Sequence, residues 1–321
     1  MKVLCAIDYS KHSKNAITLL KRMHLPAGSE VYLLHVNTPE EWSVSSVSGR
    51  ALHLPVAISS LRAKAARHAL EVLGQLEQVF RGQAVKVHQE VVEGNAGEEI
   101  LKAIKEKGID LVVVGSRGLS TVTGFLLGSV SEWVLGEAPC SVLVGRPQAR
   151  QKRPSRGMRI LLATDGSADA RAAVDFLTTL TFPGSSTLIL VHVVRKHVFQ
   201  TEQVLLGNRS TKDQFAVLAE KMLQDRGRKG VALFEQAKRR LAATEFTVEE
   251  CLVSGHEAQE ILKVARRTRA DVIVLGSRGL TGLRRLLIGS VSHKVVRNAP
   301  CSVLVIRQPT RKRRGPERSP A

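Results

Sequence analysis

Short, nearly unbroken apolar runs alternate along this chain with longer stretches in which apolar residues return every three or four positions. In the first half the runs predict strands near 2–8, 30–36, 85–92, 110–115 and 140–145. The longer stretches predict helices near 11–24, 58–81, 97–107 and 128–137. Strands that are apolar on both faces suit a parallel sheet covered by helices on both sides. Regular alternation of the two element types predicts a doubly wound α/β architecture, with ligands at the carboxyl ends of the strands.

The pattern is written twice. KVLCAIDYS near the start returns as RILLATDGS, with Asp8 and Asp165 in the same place. VYLLHV at 31–36 returns as LILVHV at 188–193, VVEGNAGEEI at 91–100 as LVSGHEAQEI at 252–261, and EAPCSVLV at 137–144 as NAPCSVLV at 298–305. The spacing between copies grows by four residues between His192 and Gly255, so the second repeat is longer in its middle. The expected organisation is a first domain at 1–146, a basic linker at 147–157, a second domain at 158–307 and a basic disordered tail at 308–321. Segments 37–57 and 195–213 are polar and poorly periodic and read as irregular connections, candidates for lids over the strand ends.

Composition narrows the class. A chain of 321 residues has room for two domains, each with its own core. With 4 % aromatic residues, those cores must be built from Val, Leu, Ile and Ala. No apolar run approaches the ~20 residues that span a bilayer. The run Val3–Ile7 is too short for a signal-peptide core, so a cytoplasmic location is expected. Cys5, Cys140, Cys251 and Cys301 show no paired spacing and read as buried structural thiols.

The net charge of +19 is concentrated. Segment 145–157 carries five Lys/Arg and no acid, and 306–321 carries six against Glu317, so these two stretches hold about half of the excess. They read either as solvated ends or as weak nucleic-acid, anionic-lipid or acidic-partner contacts.

The chemistry-bearing feature is a loop present in both repeats, GSRGLSTVTGFLLGS at 115–129 and GSRGLTGLRRLLIGS at 276–290. Each follows an apolar strand and opens a helix, the arrangement that offers backbone N–H groups and a helix dipole to phosphate. Gly115, Gly118, Gly128, Ser129, Val130 and Ser131 form the first set; Gly276, Gly279, Gly289, Ser290, Val291 and Ser292 form the second. The loop lacks the Gly-Lys-Ser/Thr of a Walker A motif and follows the fourth strand, unlike a dinucleotide fingerprint. Asp8 and Asp165 could hydrogen-bond a base or ribose, or could cap the following helix. His35 and His192 read as satisfied structural histidines, whereas Val36 and Val193 offer apolar surface and backbone groups to a base. Arg117 and Arg278 could clamp phosphates or be solvated loop residues. Arg284 and Arg285 add charge to the second loop only, which predicts tighter or more salt-sensitive nucleotide binding there. No catalytic constellation or metal-ligand cluster emerges, so an enzyme with fast turnover is not expected.

These residues resemble the ATP-binding subgroup of the universal stress protein family, whose Gly-x-x-Gly, nine residues, Gly-Ser/Thr pattern is met by Gly115–Ser129 and Gly276–Ser290. The resemblance covers both halves and implies a Rossmann-like, adenine nucleotide alpha hydrolase-like fold: two repeated doubly wound five-stranded parallel-sheet domains. By that resemblance Asp8, Val36, Asp165 and Val193 hold the adenosine end, and Val114 and Leu275 lie near the base. The loop glycines and the Ser-Val-Ser segments hold ribose and phosphates. The family pairs its domains through the last strand, which implies an intramolecular pseudo-dimer, with further dimerisation left open. The expected cofactor is ATP, with any Mg2+ held mainly by the phosphates. The expected function is that of a stress-response regulator whose nucleotide occupancy changes interaction with a protein partner. A slow ATPase or phosphotransferase is the alternative, as is an adaptor acting through the basic linker and tail.

Overall fold

The computed structural model describes residues 1–38, 54–118, 127–147, 157–195, 209–280 and 288–308. The tips of both glycine loops, with Arg284 and Arg285, lie outside these residues. So do most of the irregular segments 37–57 and 195–213, most of the basic linker, and all but the first residue of the tail at 308–321.

The first repeat runs β1 (Lys2–Ile7), α1 (Lys11–Arg22), β2 (Ser29–Asn37), α2 (Leu54–Glu77), β3 (Val85–Glu93), α3 (Ala96–Lys107), β4 (Leu111–Gly115), α4 (Ser129–Glu137) and β5 (Ser141–Gly145). The second runs β6 (Arg159–Ala163), α5 (Ala168–Thr178), β7 (Thr187–Arg195), α6 (Arg209–Arg240), β8 (Thr247–Gly255), α7 (Glu257–Thr268), β9 (Val272–Gly276), α8 (Ser290–Asn298) and β10 (Ser302–Ile306). Helix α6 has 32 residues against 24 in α2, in the stretch where the repeat spacing grows.

Local chemistry sets the boundaries. The Ser10 hydroxyl caps α1 by accepting from Ser13 N–H, and Ser167 caps α5 by accepting from Ala170 N–H. Asn95 caps α3 by accepting from the N–H groups of Gly97 and Glu98. Helix α3 ends at Gly108 in the left-handed region, whereas α7 ends in the same conformation at Arg269.

Among the described residues all ten strands join one sheet, in the order β3-β2-β1-β4-β5-β10-β9-β6-β7-β8. Within each repeat every pairing is parallel. The repeats meet through the antiparallel pair β5 and β10, with Leu143 opposite Leu304 at its centre. That pairing removes two apolar edges that would otherwise template aggregation. Strands β1, β4, β5 and their counterparts are buried on both faces, while the outer strands β3 and β8 are largely half-buried or exposed. One apolar layer joins α1, α2, α5 and α6 to the sheet, and the other joins α3, α4, α7 and α8. Both layers run unbroken through the junction, since Leu143 and Leu304 belong to the first and Val142, Val144, Val303 and Val305 to the second. Among the described residues no helix is long and apolar enough to cross a membrane.

Candidate functional site

In each repeat the chain leaves β1 or β6 toward one edge of the sheet and returns to build β4 or β9 on the other side. The reversal opens a crevice at the carboxyl ends of those two strands, the place where open α/β sheets take ligands. Asp8 and Gly118 meet in the first crevice, and Asp165 and Gly279 in the second. A Cβ added at Gly118 would lie 3.1 Å from Asp8 Oδ2, and one at Gly279 would lie 2.6 Å from Asp165 Oδ2. The absence of a side chain at these two positions therefore lets a loop backbone pass against a carboxylate.

Backbone hydrogen bonds fix both ends of each loop. Ser116 N–H donates to the Gly145 carbonyl and Gly128 N–H to the Ser116 carbonyl; Ser277 and Gly289 repeat the pattern with Ile306 and Ser277 as acceptors. The base of the loop is thus tied to the last strand, and the start of the last helix is folded back onto it. Ser129 and Ser290 are exposed at those helix starts, and Val130 and Val291 are half-buried. The buried hydroxyls of Ser131 and Ser292 donate to the carbonyls of Gly115 and Gly276, which pins each helix to its strand end.

Gly115 and Gly276 serve packing rather than a left-handed turn. A Cβ at Gly115 would come within 2.8 Å of Ser13 N, and one at Gly276 within 2.7 Å of the Asp169 carbonyl carbon. The first helix of each repeat can approach the fourth strand only because these positions are bare.

Asp8 is not a helix cap, since Ser10 and Ser167 do that work. Asp8 Oδ1 instead accepts from Ser10 N–H at 3.1 Å and from the Ser10 hydroxyl at 2.7 Å. Ser10 Oγ also lies 3.2 Å from the Arg117 carbonyl oxygen, and Ser167 donates to the Arg278 carbonyl at 3.1 Å. These serines link the first strand end to the glycine loop. Their signal was legible only as a Ser two positions after each Asp.

The residue after each aspartate is left-handed in both repeats: Tyr9 with φ 63° and Gly166 with φ 77°. A tyrosine there is strained, and its ring packs at a tilt against His35 at 4.3 Å and lies 5.4 Å from His68. His35 is buried, with Nδ1 at 2.7 Å from the Ile7 carbonyl and Nε2 at 3.0 Å from Asn37 Oδ1. Both ring nitrogens thus lie within hydrogen-bond distance of an oxygen. His192 Nδ1 makes the equivalent contact with the Thr164 carbonyl. Val36, Val114 and Leu275 are buried in the apolar layer beneath the strand ends, and Val193 is half-buried against it.

Sequence reasoning passed over the residue four positions after each aspartate. His12 Nδ1 lies 2.7 Å from the Ser116 hydroxyl oxygen; in the second repeat Asp169 Oδ2 accepts from the Ser277 hydroxyl at 2.6 Å. Burial and the neighbouring Arg117 push the His12 pKa below its ordinary value, Asp8 opposes them, and Arg146 lowers it further. It also passed over Arg146 and Arg307, which leave the two junction strands and are buried. Arg146 Nη2 donates to the carbonyls of Val296 and Arg297 at the end of α8, and Arg307 Nη2 donates to the Leu135 carbonyl in α4. Each guanidinium thus serves the last helix of the opposite repeat. Burial is the main influence on both, and it lowers their pKa values.

Among the described residues no group of three or more His, Cys, Asp or Glu is placed to hold a metal ion. Burial raises the thiol pKa of Cys5, and takes Cys140 to about 11 and Cys301 to about 12, so these three are unreactive core residues.

A family model described as "Universal stress protein family" matches the chain twice, over residues 1–146 and 158–307. Universal stress protein YxiE of Bacillus subtilis is 32 % identical over 149 residues, covering 46 % of this chain and 98 % of that protein. A universal stress protein of Methanocaldococcus jannaschii is 29 % identical over 157 residues, 47 % of this chain and 94 % of its own length. Among solved structures, a universal stress protein from Archaeoglobus fulgidus aligns with a TM-score of 0.58 at 22 % identity, over 95 % of this chain and 98 % of that one. A protein of unknown function from Pseudomonas aeruginosa aligns with a TM-score of 0.55 at 17 % identity, over 96 % and 92 %. At these identities the structural likeness concerns the fold.

Proposed function

The chain belongs to the universal stress protein family, with two copies of the module in tandem, and from that premise we propose that it is an ATP-binding regulator whose nucleotide occupancy alters a surface that a partner protein reads. The observation that carries this reading is the cradle at each strand end. There a bare glycine passes 3.1 Å or less, measured from its would-be Cβ, from an aspartate carboxylate oxygen, beside the start of a helix.

The residues fit an adenine nucleotide. Exposed Gly118 and Ser129, with half-buried Arg117, offer backbone N–H, hydroxyl and guanidinium donors to phosphates at a helix N-terminus. Asp8 offers a carboxylate acceptor to base or ribose. Asp165, Arg278, Gly279 and Ser290 would play these parts in the second repeat. The remaining donors and contacts, Gly128, Val130, Gly289, Val291 and the strand-end positions Val36, Val114, Val193 and Leu275, shape the walls. ATP itself supplies charge that any Mg2+ would share.

Regulation follows from what a ligand at such loops does. Phosphates that hold loop N–H groups favour one loop conformation, and a partner that reads that conformation responds to occupancy in proportion to the differential affinity. Chromatography of small molecules released on denaturing freshly purified protein tests the reading. Adenine nucleotide is the expected product. A protein that releases none, and binds none in equilibrium titration at millimolar ATP, is not an ATP-responsive regulator.

A further inference from the structure

The two crevices differ in charge at a position that is buried in the second. Asp169, whose side chain is 6 % exposed, lies under the second glycine loop. Its Oδ2 accepts from the Ser277 hydroxyl at 2.6 Å, from Arg278 N–H at 3.1 Å and from Arg278 Nε at 3.4 Å. Asp165 Oδ2 accepts from Leu280 N–H at 3.1 Å. Two backbone N–H groups of that loop and its arginine therefore already face carboxylates of the same repeat. Charge-assisted contacts of this kind are the strong ones.

The first repeat has His12 where the second has Asp169. An imidazole bonded to Ser116 brings no negative charge, and Arg117 and Arg146 both act on it electrostatically. Arg307 is the counterpart of Arg146, and it feels both Arg278 and Asp169. Counting these neighbours, the first crevice sets two arginines against Asp8, and the second sets two arginines against Asp165 and Asp169. Asp169 thus adds one buried negative charge beneath the second loop that has no counterpart in the first.

We propose that Asp169 is a built-in anion that engages the donors of the second glycine loop, so that the polyphosphate of a nucleotide binds the first crevice in preference to the second. The inference rests on the nucleotide reading above and deepens it: one repeat is the ligand-responsive half, and in the other the Arg278 and Leu280 donors are already engaged by its own carboxylates. The order is the reverse of the one that Arg284 and Arg285 imply when read from sequence.

The test is calorimetric titration of the full chain with ATP and Mg2+, on the natural protein, on Asp169→His and Asp169→Asn, and on His12→Asp. The natural protein is expected to bind one equivalent strongly and a second about ten-fold or more weakly, the scale of one charge-assisted hydrogen bond. Asp169→His, which copies the first repeat, should bring the second equivalent close to the first. Asp169→Asn keeps the shape of the side chain and should do so in part, and it serves if the histidine variant does not fold. His12→Asp should weaken the strong site about ten-fold. Two equal sites in the natural protein, or a weak site unmoved in both Asp169 variants, overturn this inference and leave nucleotide binding intact. No binding to any of the four proteins overturns both.

Discussion

Glu132 and His293 hold the same place in the two repeats, one turn into α4 and α8, and they hydrogen-bond each other across the junction. In a symmetric dimer of identical modules, like residues would face one another there. Divergence has put a carboxylate against an imidazole instead. Both side chains are about one-third exposed, so the pair contributes modestly to stability but bears on which halves join. His293→Glu sets two carboxylates together and should lower stability by about 1 kcal/mol. Adding Glu132→His should restore it. Urea unfolding of the single and double variants measures this, and a double variant no more stable than the single removes the pair from the junction's energetics.

The bare positions make a second, two-sided prediction. Gly115→Ala drives a Cβ to 2.8 Å from Ser13 N, a backbone atom, so α1 must move off β4. A loss of about 1–3 kcal/mol is expected. Gly136 lies inside α4, and a Cβ there meets nothing within 4 Å. Gly136→Ala should therefore gain about 0.5–1 kcal/mol, mainly by restricting the unfolded chain. Thermal unfolding of the two variants should move in opposite directions.

These two glycines also mark how far the sequence could be read. The central strands were legible because each is a short run that is apolar on both faces, and observed bounds such as Ser141–Gly145 differ by a residue from the expected 140–145. The junction was expected from the resemblance, and the apolar VLV runs of both last strands suit it. The reason for Gly115 was not legible: glycine spacing looks the same whether it admits a phosphate or a neighbouring helix. His12 and Asp169 were not legible because they differ between the copies, so the repeat does not single them out. Arg146 and Arg307 read as the edges of solvated basic stretches. Only the paired sheet reveals that each is buried against the opposite repeat.

Those arginines carry the next prediction. Arg146 Nη2 donates to the Val296 carbonyl at 2.8 Å and the Arg297 carbonyl at 3.0 Å, near the negative end of the α8 dipole. Arg146→Ala removes both bonds and leaves the buried Val296 carbonyl without its donor. A loss of about 2 kcal/mol is expected in urea unfolding. Less than about 0.5 kcal/mol would mean that burying the guanidinium costs as much as its contacts return.

The last prediction concerns acid. His12 is pushed below its ordinary pKa of 6.5, first by burial, then by Arg117, with Asp8 opposing and Arg146 adding to the depression. The unfolded chain therefore takes up this proton at higher pH than the folded one. Stability linked to His12 is complete above the ordinary imidazole value, starts to fall as pH drops through about 6.5, and is lost once pH has passed the lower folded value. His12→Asn cannot titrate, yet it keeps a polar group beside Ser116. Over roughly pH 7 to 5 its stability should decline less steeply than that of the natural protein, while the two run parallel above pH 7. Unfolding curves at matched ionic strength decide the matter, because every other titrating group is common to both chains. Parallel profiles throughout the window would mean that the protonated ring finds solvent or Asp8 as readily as in the unfolded chain, and that Arg117 does not hold it neutral.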